Sequence, residues 1–195
     1  MEPEVGIRRD RSPLQEAERR WLAAFQAGDQ AAFQPLVRPH LAALLSLARR
    51  HTTDSHWAED LVQETLVRAY RGLPGFRGDA ALRTWLFRIL VRLASDPARW
   101  RWSEPARNLA GIEVPDHLEQ LPEDAAIERE LWARIDEAME RLTARQRTAL
   151  HLRAVEGMDY AAVAGVLECS QAAARMLVLE ARRKVFARLG EHLQP

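Results

Sequence analysis

Cysteine is almost absent from this sequence, and so is lysine. The single cysteine, Cys169, cannot close an internal disulfide, and no group of cysteines and histidines has zinc-finger spacing. A disulfide-stapled secreted fold is thereby excluded, and a reducing, cytoplasmic setting fits best. Long apolar runs are missing as well. The longest, residues 41–48, falls far short of the ~20 residues that a membrane span requires, so no direct membrane insertion is expected. The N-terminus mixes Glu2, Glu4 and Asp10 with arginines and offers no continuous apolar segment, unlike a secretory signal. Neither a Walker phosphate loop nor a dinucleotide fingerprint occurs, and no cofactor is expected. Net charge is missing too: 28 basic and 28 acidic residues cancel, which on average argues against a polyanionic partner.

The average conceals the distribution. Residues 1–60 carry a net charge of −1 and residues 61–103 carry +5, from 8 basic and 3 acidic side chains. Residues 104–142 carry −7, and 143–195 return to +3. Two basic blocks thus flank an acidic one, as two surfaces that meet an anionic polymer would if a repelling segment joined them. All basic residues but Lys184 are arginines, which a GC-rich genome explains more readily than function does. Hydrophobic residues make up 47% of the 195 positions, enough to bury a core in one ordinary domain or two small ones.

Strand signals are scarce, because β-branched residues are scattered and apolar positions recur at intervals of three and four. The pattern predicts an all-α protein: two small helical domains, over 14–102 and 123–190, joined by a linker over 103–122 that holds Pro105, Pro115, Pro122, Gly111 and several acids. A first helix over 14–27 ends at Gly28. Asp29 caps a second helix towards His51, with Pro35 and Pro39 placed to bend or delay it. Asp54 or Ser55 opens a third, whose pairs Trp57/Ala58, Leu61/Val62, Thr65/Leu66 and Ala69/Tyr70 define one buried face. After the turn-rich loop 72–78, Asp79 is expected to cap a fourth helix that Pro97 stops. In the second domain Thr143 and Gln146 form a capping box for a helix reaching Gly157. Asp159 caps a short helix, a turn follows at 167–169, and Ser170 caps a long last one, which is the helix-turn-helix pattern.

Three constellations could carry chemistry. On the third helix Asp60, Gln63, Glu64 and Arg71 project away from the buried face, either as plain solvated surface or as an acidic dock for a basic partner protein. His56, Asp60 and Glu64 also share that side at i, i+4 and i+8, but a ligand on the third turn is out of reach, so no metal site is expected. On the fourth helix Trp85, Arg88, Arg92 and Arg99 fall in one sector, opposite Leu82, Leu86, Ile89 and Leu93. Rings stack on unpaired bases at ~1–3 kcal/mol each and guanidinium forks grip phosphate, so this stripe suits single-stranded DNA, unless the tryptophans only fill core gaps. Trp100, Arg101 and Trp102 extend it. On the last helix Gln171, Ala172, Arg175, Leu179 and Arg182 face outward if Ala174, Val178, Ala181 and Val185 face inward. Gln171 then addresses adenine and Arg175 guanine, with Arg182, Arg183 and Lys184 on phosphates. Cys169, in the turn, suits a small buried thiol better than a nucleophile.

These residues resemble the extracytoplasmic-function class of bacterial sigma factors, the promoter-specificity subunits of RNA polymerase. Ala58-Glu-Asp-Leu-Val-Gln-Glu-Thr-Leu-Val-Arg-Ala-Tyr70, followed by Phe76-Arg-Gly-Asp-Ala-Ala-Leu-Arg-Thr-Trp-Leu-Phe-Arg-Ile89, is similar to the family's second region. Leu142-Thr-Ala-Arg-Gln-Arg and Val155-Glu-Gly-Met-Asp-Tyr160 through Leu189 resemble its fourth. Together the matches span about residues 20–102 and 125–190. The resemblance implies that Asp60, Gln63 and Glu64 dock on the core polymerase. It implies that Phe76, Arg77, Thr84, Trp85, Arg88, Arg92 and Arg99 handle the melted −10 element, with one base flipped into a pocket. Ser170, Gln171, Arg175, Arg182 and Arg183 would read the −35 element as duplex. It further implies a non-catalytic chain with no catalytic residues of its own and an anti-sigma factor as a second protein partner.

The chain departs from the family pattern in places. An Arg-Asn pair common after the tryptophan helix is Val91-Arg92 here. In the last helix the usual Thr, Lys, Arg and second Arg are Ala173, Arg175, Leu177 and Glu180, and the turn glycine is Glu168. Two missing cations remove roughly two phosphate contacts, and each contact contributes ~0.9 to the slope of log affinity against log salt. The alternative expectation is a sigma-like interaction protein that binds polymerase or an anti-sigma factor without productive DNA recognition.

Overall fold

A computed structural model describes residues 13–52, 54–96, 137–139 and 141–191, and all regular structure among them is helical. The expected linker over 103–122, Arg99 and Trp100 to Trp102 lie outside the described residues.

Helix α1, Pro13–Gln26, starts on a proline whose missing N–H is no loss in a first turn. It stops at Gly28, where φ is +105°. Gly28 N–H donates to Phe25 O and Asp29 N–H to Ala24 O, both at 3.0 Å, a pairing that closes the last turn. Asp29 does act as a cap, accepting from Ala31 N–H at 3.0 Å. The single second helix expected from the sequence is instead four pieces. A 3-10 turn (Gln30–Ala32) leads into α2 (Phe33–Val37), and a second turn (Arg38–His40) into α3 (Leu41–Ala48). Pro39 sits in the second turn, where an α-helical ladder would need the N–H it lacks.

Helix α4, Ser55–Gly72, follows the sequence closely. Asp54 Oδ1 accepts from His56 N–H at 2.9 Å and Trp57 N–H at 3.3 Å, and Ala58, Leu61, Val62, Thr65, Leu66 and Ala69 are buried as their spacing requires. Helix α5, Leu82–Ser95, departs from expectation at its start. Its N-cap is Ala81, which makes no side-chain cap bond, because Asp79 stands two residues further out. Helix α6, Ala144–Ala154, carries both bonds of the Thr143/Gln146 capping box, each 3.2 Å. It ends three residues before Gly157, which takes φ +66° in the following turn. Asp159 caps α7, Tyr160–Leu167, through Ala162 N–H at 2.7 Å, and Ser170 caps α8, Gln171–Glu191, through Ala173 N–H at 3.1 Å.

Helix α4 lies between α3 and α5, while α7 packs across α5 and α6 touches α3. One apolar interior results. Leu152, Val163, Leu167 and Val178 from the second half belong to the same buried cluster as Leu36, Leu61, Leu66, Leu86 and Phe87 from the first. A smaller cluster of Met139, Leu142 and Ala181 fills the far side of α8.

Candidate nucleic-acid and partner interfaces

The acidic face of α4 is only partly free. Asp60 is exposed, Gln63 is half-buried, and the Glu64 side chain retains 13% of its accessibility while accepting from Arg68 Nε at 2.8 Å. Asp60 is therefore the open one of the two carboxylates.

The loop between α4 and α5 is pinned to α1, since Gln26 Nε2 donates to Leu73 O at 3.1 Å and to Phe76 O at 2.9 Å. This holds Phe76 against Trp85, with ring centroids 5.0 Å apart and planes tilted by 43°. Trp85 in turn lies over Gly72: a Cβ there would stand 3.1 Å from Trp85 Cζ2, so only glycine leaves the ring its place. Arg77 is exposed beside them. A cleft of about 320 Å³ opens between this loop and α1, lined by Glu18, Arg19, Leu22, Phe76, Gly78 and Leu82 among others. Burial pushes the Glu18 carboxyl above its ordinary range. Behind it His40 Nε2 lies 3.1 Å away, and burial together with Arg83 pushes that imidazole down to about 4.

The arginine stripe of α5 meets the second half of the chain, although the Arg92 side chain stays exposed. Thr84 is buried, Arg88 Nε donates to Gly165 O of α7 at 2.8 Å, and Arg92 forms an ion pair with Glu168. Arg92 Nε also approaches Glu168 Oε2 at 3.2 Å, and that bond holds the Glu168 carboxyl below its usual range. Glu168 itself takes φ +52°, a left-handed conformation that favours glycine, at the corner between α7 and α8.

Helices α7 and α8 turn through 97°, within the range of a helix-turn-helix. Ala174, Val178 and Ala181 are buried, while Gln171, Arg175, Arg182 and Arg183 are exposed, as the spacing requires. Ser170 serves as the cap. Arg175 lies over the Tyr160 ring at 5.2 Å, with Arg153 at the same distance. Lys184 is drawn back to Gln146 Oε1 at 2.9 Å. The outward face also shows Met176, Leu179 and Phe186, with Phe186 70% exposed. Cys169 is half-buried against the interior.

The seam between the halves contains polar groups that sequence reasoning missed. Arg83 of α5 forms an ion pair with Glu156, whose side chain is 6% exposed and whose Oε1 lies 3.2 Å from His151 Nε2. Arg147 Nη1 donates to Arg50 O at 2.9 Å, and Thr148 Oγ1 is 3.2 Å from His51 Nε2. The partners across the seam are 73 to 97 residues apart and leave no periodic signal. Among the described residues no group of His, Cys, Asp and Glu could hold a metal ion, and no single helix is long and apolar enough to cross a membrane.

Comparison with known proteins adds the following. The family profile Sigma-70 region 2 matches residues 36–104, and Sigma-70, region 4 matches residues 132–185. The RNA polymerase sigma-H factor of Pseudomonas aeruginosa is 32% identical over 179 residues, covering 88% of this chain and 93% of that one. The ECF RNA polymerase sigma-E factor of Escherichia coli strain K12 is 32% identical over 169 residues, 82% of this chain and 87% of its own. Among solved structures, CnrH in complex with the cytosolic domain of CnrY matches with a TM-score of 0.67 at 28% identity, covering 90% of this chain and 98% of that one. The fold also matches the sigma factor RpoE, in complex with the anti-sigma factor NepR, from Bartonella quintana, with a TM-score of 0.60 at 24% identity, over 82% of this chain and 96% of that one.

Proposed function

The chain belongs to the RNA polymerase sigma factors of the extracytoplasmic-function class, and from that premise we propose how its residues divide the work of promoter recognition. The first domain, over 14–102, docks on the core enzyme through Asp60, Gln63 and Glu64 and handles the melted −10 strand through Phe76, Arg77, Thr84, Trp85, Arg88, Arg92 and Arg99. The second, over 123–190, sets α8 in the major groove of the −35 duplex. Polymerase supplies the catalysis in the cytoplasm, and an anti-sigma factor holds the free chain.

The observation that carries this reading is the juxtaposition in one chain of an aromatic corner with arginines and a right-angled helix pair whose second helix points Gln171, Arg175, Arg182 and Arg183 outward. Because Asp60 is the open carboxylate, Asp60→Arg should abolish association with purified core polymerase while leaving the circular dichroism spectrum intact. Glu64→Arg should act as strongly, having also lost its bond to Arg68. Normal core binding by both variants would refute the docking assignment.

One observation favours the runner-up, an interaction protein without productive DNA reading. Met176 and Leu179 occupy the outward face of α8, and Glu180 adds a negative charge there. A gel shift with core polymerase and fork-junction promoter DNA separates the two, since the second reading gives no sequence-selective, salt-dependent shift.

A further inference from the structure

Arg175 on the outward face of α8 is held by an aromatic ring and by nothing else. Among the described residues it makes no hydrogen bond and no ion pair, yet its guanidinium lies over the Tyr160 ring, 5.2 Å from the centroid. Tyr160 is the first residue of α7 and Arg175 stands one turn into α8, so the contact crosses from one helix of the pair to the other. The ring is itself fixed. It is half-buried against the main interior and follows directly on Asp159, whose carboxylate caps α7. A second guanidinium, that of Arg153, lies over it at 5.2 Å and is tied to Met158 O through Nη1 at 3.0 Å. An arginine that reads guanine must give paired N–H bonds to O6 and N7, and an unsupported side chain has to be frozen out of many rotamers to do so. That ordering weakens binding by roughly two- to tenfold. A ring face draws a cation without taking up an acceptor oxygen, so the guanidinium fork stays available to a base. Contacts to phosphate make no such geometric demand, and Arg182 and Arg183, on the same helix, lie over no ring among the described residues.

We infer that Tyr160 is a positioning residue for base readout: its ring holds Arg175 in the pose that meets guanine, and Arg153 keeps the ring in place. The inference rests on the guanine-reading role proposed for Arg175. Tyr160 is assigned no contact with DNA, so it can be changed while every residue of the reading helix is kept.

The experiment assembles the full-length chain with purified core polymerase and presents a library of random-sequence DNA duplexes. Sequencing and aligning the bound molecules gives a base preference at each position of the site. Arg175→Ala should remove a guanine preference of about tenfold at one position. Tyr160→Leu should lower the guanine preference at that same position by roughly two- to fivefold, the strength of an exposed cation–ring contact, and leave the other positions as they were. Tyr160→Phe, which keeps the ring, should behave as the unaltered chain. Tyr160→Met, also without a ring, serves if Tyr160→Leu does not fold. A loss spread evenly over all positions means that the ring only supports the fold, and it overturns the inference, as does an unchanged guanine preference in Tyr160→Leu. A loss in Tyr160→Phe equal to that in Tyr160→Leu assigns the effect to the hydroxyl and overturns it too. In each of those cases the reading role of Arg175 stands. If Arg175→Ala leaves every preference intact, that role falls, and the positioning inference with it.

Discussion

Glu168 holds a left-handed backbone at the corner of the helix pair while its carboxylate pairs with Arg92. A non-glycine residue there costs roughly 1–2 kcal/mol, whereas an ion pair whose side chains are 63% and 48% exposed returns at most about 1 kcal/mol after screening. Glu168→Gly should therefore raise unfolding stability by about 0.5–1 kcal/mol, read as a shift of the urea midpoint without a change of slope. The family resemblance exposes the backbone half of this situation, since Glu168 stands where the family has its turn glycine. It hides the ionic half, because nothing local joins residues 92 and 168. The same division holds for single residues elsewhere. Asp54, Asp159 and Ser170 were legible as caps because a cap needs only neighbours two or three positions away. Glu156 looked like one turn residue among several, and its partner at 83 emerges only from tertiary packing.

Among the elements, α6 shows how a local motif becomes a tertiary one. Gln146 completes the capping box with Thr143 and also donates to Glu180 Oε2 at 2.9 Å while accepting from Lys184, so the start of α6 is tied to the middle of α8. Thr143→Ala should destabilise the chain by about 1 kcal/mol in a denaturant melt, the usual cost of a lost N-cap. The loss should exceed that of a cap that binds only its own helix, because Gln146 is then less firmly held for α8. Periodicity made α1, α4, α5, α7 and α8 readable. It did not resolve residues 30–48, where Pro35 and Pro39 signalled trouble without saying how many pieces would follow. Asp79 misled for a simple reason: a capping side chain must sit next to the first turn, and the loop places Ala81 there.

At the scale of the whole molecule, two buried histidines set a pH limit, His51 at the seam and His40 behind Glu18. Burial, Arg147 and His151 push His51 down to about 4, and burial with Arg83 does the same to His40. Both bind protons more readily unfolded, with an ordinary value of 6.5, than folded, so the unfolded state takes up protons as pH falls from 6.5 towards 4. Their contribution is complete above about pH 6.5 and is progressively lost as the medium is acidified through that window, amounting to up to roughly 3 kcal/mol each. Thermal melts between pH 7 and 4 should show a steep fall, and replacing His51 with Gln should flatten it. The sequence conveyed the order of the two halves and the residue types on each. It carried no information on how the halves dock, because that contact joins surfaces each of which could, by pattern alone, have faced water.

The shared interior has one more consequence. Leu152, Val163 and Val178 complete the same oily volume as Leu61 and Leu86, so parting the halves would wet hydrocarbon that is dry when they are together. A partner that parted the two halves would have to cover that hydrocarbon as well as the charges paired across the seam.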